Sequence, residues 1–298
     1  MKILITGANG LLGQHLTAEL AGLGYEVVAT GKGPSRLPSG NHPGLTYLEM
    51  DFTNDAQVQQ VMSAQRPDIV VHGGAMTQID ECEQNQDACF EANVQGTAQM
   101  LLAAEVYSSH FIFISTDFVF DGIKGNYAED DHLNPVSWYG FSKIQAESTV
   151  ETSEISWAIV RTCLVYGSPL AGTRSNILTW VKKSLEDGKP IKVVSDQLRT
   201  PTYVGDLVTG IMQVINKKAE GIFHLAGSDK LSPFDMAISA AKHLQLNEEL
   251  IEKVDASTFT QPAKRPPRTG LDITKARTEL GFEPRNFENN LHIMWPGN

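Results

Sequence analysis

The first thirteen residues limit what this chain can fold into more than any other stretch. Lys2-Ile-Leu-Ile-Thr6 is an apolar, strand-like run that passes without a linker into Gly7-Ala-Asn-Gly10-Leu-Leu-Gly13. Glycines at this spacing permit a tight turn, let the backbone approach a pyrophosphate, and let the next helix pack closely on its strand. The helix N-terminus then presents unpaired N–H groups to the anion. Leu12, Leu16, Leu20 and Leu23 continue along one helical face, with Gly24 placed to end the helix. The pattern predicts a βαβ unit with Gly7, Asn9, Gly10, Leu11, Leu12 and Gly13 as dinucleotide contacts.

The alternation continues. Further strand-like runs fall at 26–30, 45–50, 68–72, 111–115, 157–161, 191–194 and 222–225, several nearly continuous in Val, Ile and Leu. Such runs suit parallel strands covered on both faces. Helical spacing fills the gaps, including one long segment over 87–107. The expected fold class is α/β, a Rossmann-type doubly wound parallel sheet with right-handed crossovers. After Tyr166 the pattern loosens: a helix is expected at 177–185, and from Ser228 the chain reads as mostly helical, with a Ser232/Asp235 capping box. Residues 1–166 are expected to form an NAD(P)-binding domain to which 203–227 return. Residues 167–202 and 228–298 are expected to build a small C-terminal substrate-binding lobe over the sheet's carboxyl edge.

The second strand ends at Thr30-Gly31-Lys32-Gly33, with Arg36 close behind. An acidic residue there would bond an adenosine ribose 2′-OH and repel a 2′-phosphate. None is present, and Lys32 and Arg36 can pair with that phosphate. NADP(H) is therefore expected to be preferred, with NAD(H) left open. Asp51-Phe52 ends the third strand, where a carboxylate can meet the adenine amino group. The fourth ends in His72-Gly-Gly-Ala75, so Gly74, Ala75 and Thr77 just beyond are expected beside the cofactor.

Tyr139-Gly-Phe-Ser-Lys143 carries the chemistry. Positions i and i+4 share a helix face, so both heads can enter one cleft. A tyrosine needs help to exchange protons near neutral pH, and a lysine one turn away supplies a favourable charge. Upstream, Ser115-Thr116-Asp117 puts a hydroxyl at the carboxyl end of the fifth strand, where it can bond a carbonyl under reduction. Thr116, Tyr139 and Lys143 are the expected catalytic centre, with Tyr139 and Lys143 also on the cofactor.

The rest of the composition narrows the partners. A formal charge of −11 argues against nucleic acid, apart from the basic knot Lys264-Arg265-Pro-Pro-Arg268. No apolar run is long enough to span a membrane, and no secretory signal is recognisable, so a cytoplasmic location is expected. Three scattered cysteines, Cys82, Cys89 and Cys163, suit neither a disulfide framework nor a zinc site. No metal is expected, and a homodimer is left open.

Ser115-Thr-Asp-Phe-Val-Phe-Asp-Gly122 resembles the S-T-D-Y-V-F-D-G segment of the dTDP-4-dehydrorhamnose reductase family, within the extended short-chain dehydrogenase/reductases. Asn134-Pro135 ahead of Tyr139-Gly140 resembles the family's P-x-x-x-Y-G-x-x-K pattern. Arg161-Thr162, Val165-Tyr166, Thr200-Pro-Thr202, Arg265-Pro266 and Leu271-Asp272 follow in the family's order, so the resemblance spans nearly the whole chain. It implies NAD(P)H-dependent reduction of a nucleotide-linked 4-keto-6-deoxy sugar. Thr116 would hold the keto oxygen, Tyr139 would donate the proton, and Lys143 would orient the ribose and tune Tyr139. The resemblance places Asp117 and Arg199 with the sugar, Arg265 and Arg268 near the diphosphate, and Asn93 in support of the active site.

One departure stands out: the aromatic residue of the family's R-T-S-W-V-Y is Leu164 here. Leucine cannot stack on a pyranose face. The non-catalytic, NADP-binding β subunit of methionine adenosyltransferase is similar in this respect and is the main alternative. A sugar-nucleotide 4-epimerase shares the same triad. A 4,6-dehydratase is set aside, because Phe118 stands where those enzymes carry glutamate.

Overall fold

A computed structural model describes residues 1–38, 42–172 and 175–297. Its main sheet contains β1 (Lys2–Thr6), β2 (Glu26–Gly31), β3 (Leu45–Glu49), β4 (Ile69–His72), β5 (His110–Thr116), β6 (Trp157–Thr162) and β7 (Gly221–His224). The spatial order is β7-β6-β5-β4-β1-β2-β3, and every pair is parallel. This is the doubly wound arrangement expected from the regular alternation, with the strand order reversing between β1 and β4. A ligand crevice opens at such a point, beyond the carboxyl ends of the strands.

Helices α1 (Leu11–Gly22), α2 (Asp55–Gln65), α3 (Gly96–Val106), α4 (Trp138–Glu151) and α5 (Val204–Lys217) are the main helices of this unit. One face of the sheet packs Ile3, Ile5, Val27 and Val71 against Leu16 and Leu20 of α1 and Leu207 and Ile211 of α5. The other packs Leu4, Val70, Phe111 and Phe113 against Val58 of α2, Met100 of α3 and Val150 of α4. Successive strand residues point to opposite faces, so strands covered on both sides must be apolar throughout, and these are.

Two expectations change. The segment over 87–107 is not one helix: a short helix (Gln86–Phe90), a π-helical turn (Glu91–Gln95) and α3 succeed one another. Asn93 lies in that turn, and its side chain bonds outside the helix rather than facing solvent. The stretch beyond Ser228 is less helical than its spacing suggested. It contains Pro233–His243, capped by the Ser232/Asp235 box, and Phe287–Met294, but also strands Ile251–Val254 and Arg268–Leu271. The strand at Ile191–Val194 stays out of the main sheet and pairs with Ile251–Val254. Among the described residues no helix is long and apolar enough to cross a membrane, and no group of three or more His, Cys, Asp or Glu side chains could hold a metal ion.

Candidate active site

Three consecutive residues at the end of β5 reach three positions on one stripe of α4. The Ile114 carbonyl accepts from Lys143 Nζ at 2.9 Å. Ser115 Oγ donates to Glu147 Oε1, and the Thr116 hydroxyl, which donates to Asp117 Oδ1 at 3.2 Å, lies beside Tyr139. Tyr139, Lys143 and Glu147 are spaced i, i+4, i+8, so one face of the helix carries all three. The local sequence fixes how close this face comes. Ser137 caps the helix by accepting from Gly140 N, and a Cβ on Gly140 would sit 2.2 Å from the Phe118 carbonyl. Only glycine allows the first turn of α4 to press against the segment that follows Thr116.

Arg161, from β6, closes the far end of the stripe. Its guanidinium meets Glu147 through Nε at 3.1 Å and through its terminal nitrogen at 2.7 Å, and both side chains are 1% exposed. The Arg161–Glu147 pair thus pins the lower half of α4 to the sheet.

Burial governs the protonation of the upper half. It lowers the Lys143 ammonium to about 7, despite the opposing pull of the Glu147 carboxylate. The ammonium also lies 4.0 Å above the Phe113 ring. Burial pushes the Tyr139 phenol well above its ordinary range, against the opposing effect of the neighbouring Thr116 hydroxyl. Tyr139 therefore carries its proton at neutral pH, as a group that gives a proton to a reduced carbonyl must.

A second network supports the site from beneath. Asn93 Oδ1 accepts from Met76 N at 2.7 Å, while its Nδ2 donates to Met76 O and to Ser142 Oγ, each at 3.0 Å. Ser142 Oγ in turn donates to the Tyr139 carbonyl at 2.8 Å. His72 extends the network to β1. Thr97 Oγ1 gives its proton to Asn93 O, so at 3.2 Å from His72 Nε2 it can only accept. Nδ1 of His72 then accepts from Thr6 Oγ1 at 2.8 Å, and Thr6 accepts from Gly74 N. Burial, aided by the Lys143 charge, lowers His72 to about 3, so this tautomer stays neutral. Spacing pointed to Tyr139 and Lys143 but not to Ser142, Glu147 or His72. Glu147 was discernible as the next i+4 position; the others depend on contacts between distant segments.

The glycine turn has the shape a pyrophosphate requires. Gly7 adopts φ +70°, and a Cβ there would lie 2.9 Å from the Gly73 backbone. A Cβ on Gly13 would lie 2.3 Å from the Gly7 carbonyl. Gly10 caps α1 with no side-chain hydrogen bond, so the amides at Leu11 and Leu12 meet no capping side chain. Asn9 is turned to the protein: it bonds Pro34 O, the Tyr47 hydroxyl and Arg36 N, holding the loop after β2 against the turn. Lys32, at the tip of that loop, pairs with Asp51 at 2.8 Å and is 84% exposed. Phe52 fills the space over two glycines, since a Cβ on Gly74 or Gly96 would come within 2.7 Å of its ring. Ala75 is half-buried and Thr77 exposed on the same rim.

The residues expected on the substrate divide. Asp117 and Arg199 are buried together, 3.5 Å apart, beside Thr116. Arg199 also donates to the carbonyls of Pro266 and Pro267, and Asp117 accepts from Thr269. Their charges answer each other and tie the loop ahead of Arg268 to β5. Arg265 makes a two-pronged pair with Asp80, at 2.7 and 2.8 Å, and Arg268 donates to Ile123 O near the surface. Leu164 stands at φ +39° and is 36% exposed.

The sequence profile described as "RmlD substrate binding domain" matches residues 1–296. The chain belongs to that family. It is 29% identical to a dTDP-4-dehydrorhamnose reductase of Aggregatibacter actinomycetemcomitans, over 97% of each chain. It is 27% identical to the bovine (Bos taurus) methionine adenosyltransferase 2 subunit beta, over 99% of this chain and 87% of that one. Among solved structures, a dTDP-4-dehydrorhamnose reductase of Bacillus anthracis in complex with NADP superposes with a TM-score of 0.87, at 28% identity, covering 99% of this chain and 98% of that one. The family and the Rossmann-type fold expected from the motifs are therefore established.

Proposed function

We propose that this protein is an NADPH-dependent reductase of a nucleotide-linked 4-keto-6-deoxy sugar, similar to the dTDP-4-dehydrorhamnose reductases. The observation that carries this reading is the convergence of Thr116, Tyr139 and Lys143 at the end of β5, beside the switch point between β1 and β4. Gly7, Gly10, Gly13 and the start of α1 fit a pyrophosphate, and Lys32 and Arg36 offer cations to a 2′-phosphate. Gly74, Ala75 and Thr77, with Asp51 and Phe52, line the remaining cofactor rim. When bound, NADPH supplies the hydride. Thr116 and Tyr139 then hold the keto oxygen between two hydroxyls, and Tyr139 gives it a proton. The Lys143 ammonium, one turn from Tyr139, stabilises the phenolate left behind and is placed to bond the cofactor ribose.

A pocket of about 380 Å³ lies between Val136, just before α4, and Phe259, Gln261, Lys264 and Pro267. It suits the nucleotide end of the substrate, with Lys264 as its free cation while Arg265 remains paired to Asp80. NADPH and sugar nucleotides are cytoplasmic metabolites, in keeping with a cytoplasmic enzyme. The test follows absorbance at the nicotinamide band with NADPH and a panel of dTDP-, GDP- and UDP-4-keto sugars. Oxidation that vanishes in Tyr139→Phe supports the reductase. NADPH binding without turnover across the panel would replace it with a regulatory reading, for which Leu164 is the favouring feature.

A further inference from the structure

Cys82 and Cys89 take no part in the proposed reduction, yet both are fully buried and pack in one cluster with Tyr139. They come from two short helices, Ile79–Gln84 and Gln86–Phe90, separated by a break at Asn85 with φ −128° and ψ 63°. Both sulfurs reach one hydrogen-bonded group, Cys82 Sγ meeting the Met76 carbonyl and Cys89 Sγ the Asn93 amide nitrogen that donates to that carbonyl. Cys82 Sγ lies 3.5 Å from the Met76 carbonyl. Cys89 Sγ lies 3.5 Å from Ser142 Oγ and accepts from Asn93 Nδ2 at 3.4 Å. The pair therefore touches the two residues that join the first turn of α4 to the segment after β4.

We propose that Cys82 and Cys89 form a reversible disulfide in response to peroxide-class oxidants, and that this bond switches the adjoining active site off. Cys89 is the attacking sulfur. The neighbouring Cys82 side chain, with Asn93 and the nearby Lys143 charge, holds the Cys89 thiol below the usual range despite burial. Its thiolate attacks one peroxide oxygen, breaking the O–O bond and leaving a sulfenic acid and one water. The Cys82 sulfur then displaces the hydroxyl from Cys89 as a second water. Two thiols and one peroxide become one disulfide and two waters, with the cysteines oxidised and the peroxide reduced.

Bond formation draws the sulfurs to about 2.05 Å. Cys89 then retreats from Ser142 and Asn93, and the tie to the Tyr139 carbonyl loosens. Misplacing a catalytic group by about 1 Å costs on the order of 10²-fold in rate. Oxidant reaches the buried pair when the segment over 79–90 opens. Its helices are six and five residues long, too short to be stable alone.

The experiment treats reduced full-length protein with hydrogen peroxide, desalts it, and measures intact mass, peptide linkage and NADPH-dependent turnover. The expected result is a Cys82–Cys89 linkage, a fall in kcat of about 10²-fold, and recovery with dithiothreitol. Cys82→Ala and Cys82→Ser should each keep their own starting rate through the same treatment, whereas Cys163→Ser should lose it as the parent does. Linkage elsewhere, no linkage, linkage with unchanged turnover, or equal inactivation of the Cys82 variants would each overturn the proposal. It rests on the reductase reading only for the rate. If the reduced protein turns over no sugar, hydrogen exchange of the amides over 137–143 replaces it. Exchange should quicken on oxidation and slow again on reduction, and unchanged exchange would refute the switch.

Discussion

The Glu147–Arg161 pair offers the most direct test of how the fold holds its site. In Glu147→Gln the shape of the side chain and an acceptor for Ser115 Oγ remain, but the carboxylate charge is lost. Arg161 is 1% exposed, and its other partner within 3.0 Å is the neutral carbonyl of Glu129. Removing one member of a buried pair leaves the other charge without compensation, at a cost of about 3–5 kcal/mol. Against a total stability of about 5–15 kcal/mol, that is a large fraction. Urea unfolding should show a lower midpoint at unchanged slope, since the same surface is exposed. The double variant Glu147→Leu/Arg161→Met removes both charges together. It should recover part of the loss, retaining a deficit from the orphaned Ser115 hydroxyl and Glu129 carbonyl. The reasoning fails if Glu147→Gln costs less than about 1 kcal/mol, or if the double variant is no better than the single.

Three further outcomes follow from the same geometry. Tyr139→Phe should lower kcat by about 10²–10⁴-fold, the usual worth of a positioned acid, while NADPH affinity by fluorescence titration stays within a few-fold. Lys143→Met should abolish turnover without destabilising the fold near neutral pH. The folded Lys143 pKa of about 7 lies below its ordinary 10.5, so between those values the unfolded chain binds more protons and rising pH favours the native state. The variant's stability relative to the parent should therefore fall from pH 7 to pH 10 by up to about 1.4 kcal/mol per unit, and a flat difference would refute the burial argument. Gly13→Ala puts a methyl 2.3 Å from the Gly7 carbonyl and should weaken NADPH binding at least tenfold, about 1.4 kcal/mol; an unchanged Kd would show that the turn does not hold the pyrophosphate.

Much of this was legible in the sequence because the signals were local. The glycine turn, the alternation of apolar runs and the Tyr139/Lys143 spacing each depend on residues a few positions apart, where strand and helix periods apply. The strand Ile191–Val194 shows the limit of that reading: it was legible as a strand, but its partner Ile251–Val254, in a stretch whose spacing reads as mostly helical, was not. Periodicity reports what a segment can be, not which neighbour it finds. The π-helical turn at Glu91–Gln95 was hidden for a related reason, since its apolar positions still fit helical spacing.

The charged residues show the same limit more sharply. Arg265 and Arg268 read as an anion-binding knot because a sequence displays charge without its partners. In the fold, Asp80 lies 185 positions from Arg265 and takes two of its nitrogens. Asp117 and Arg199, far apart in sequence, neutralise one another beside Thr116. A buried ion pair costs desolvation that only good mutual geometry offsets, and the Asp117–Arg199 pair ties the loop ahead of Arg268 to β5. The acid–base groups follow the opposite rule. Among the described residues Tyr139 and Lys143 gain no carboxylate partner at hydrogen-bond distance; burial chiefly raises the Tyr139 phenol, with help from the Asp117 charge, and lowers the Lys143 ammonium against the pull of Glu147. The cleft thus pairs Asp117 with Arg199 and, among the described residues, leaves Tyr139 and Lys143 without an ionic partner at hydrogen-bond distance, a division that can be seen only when the distant segments are together.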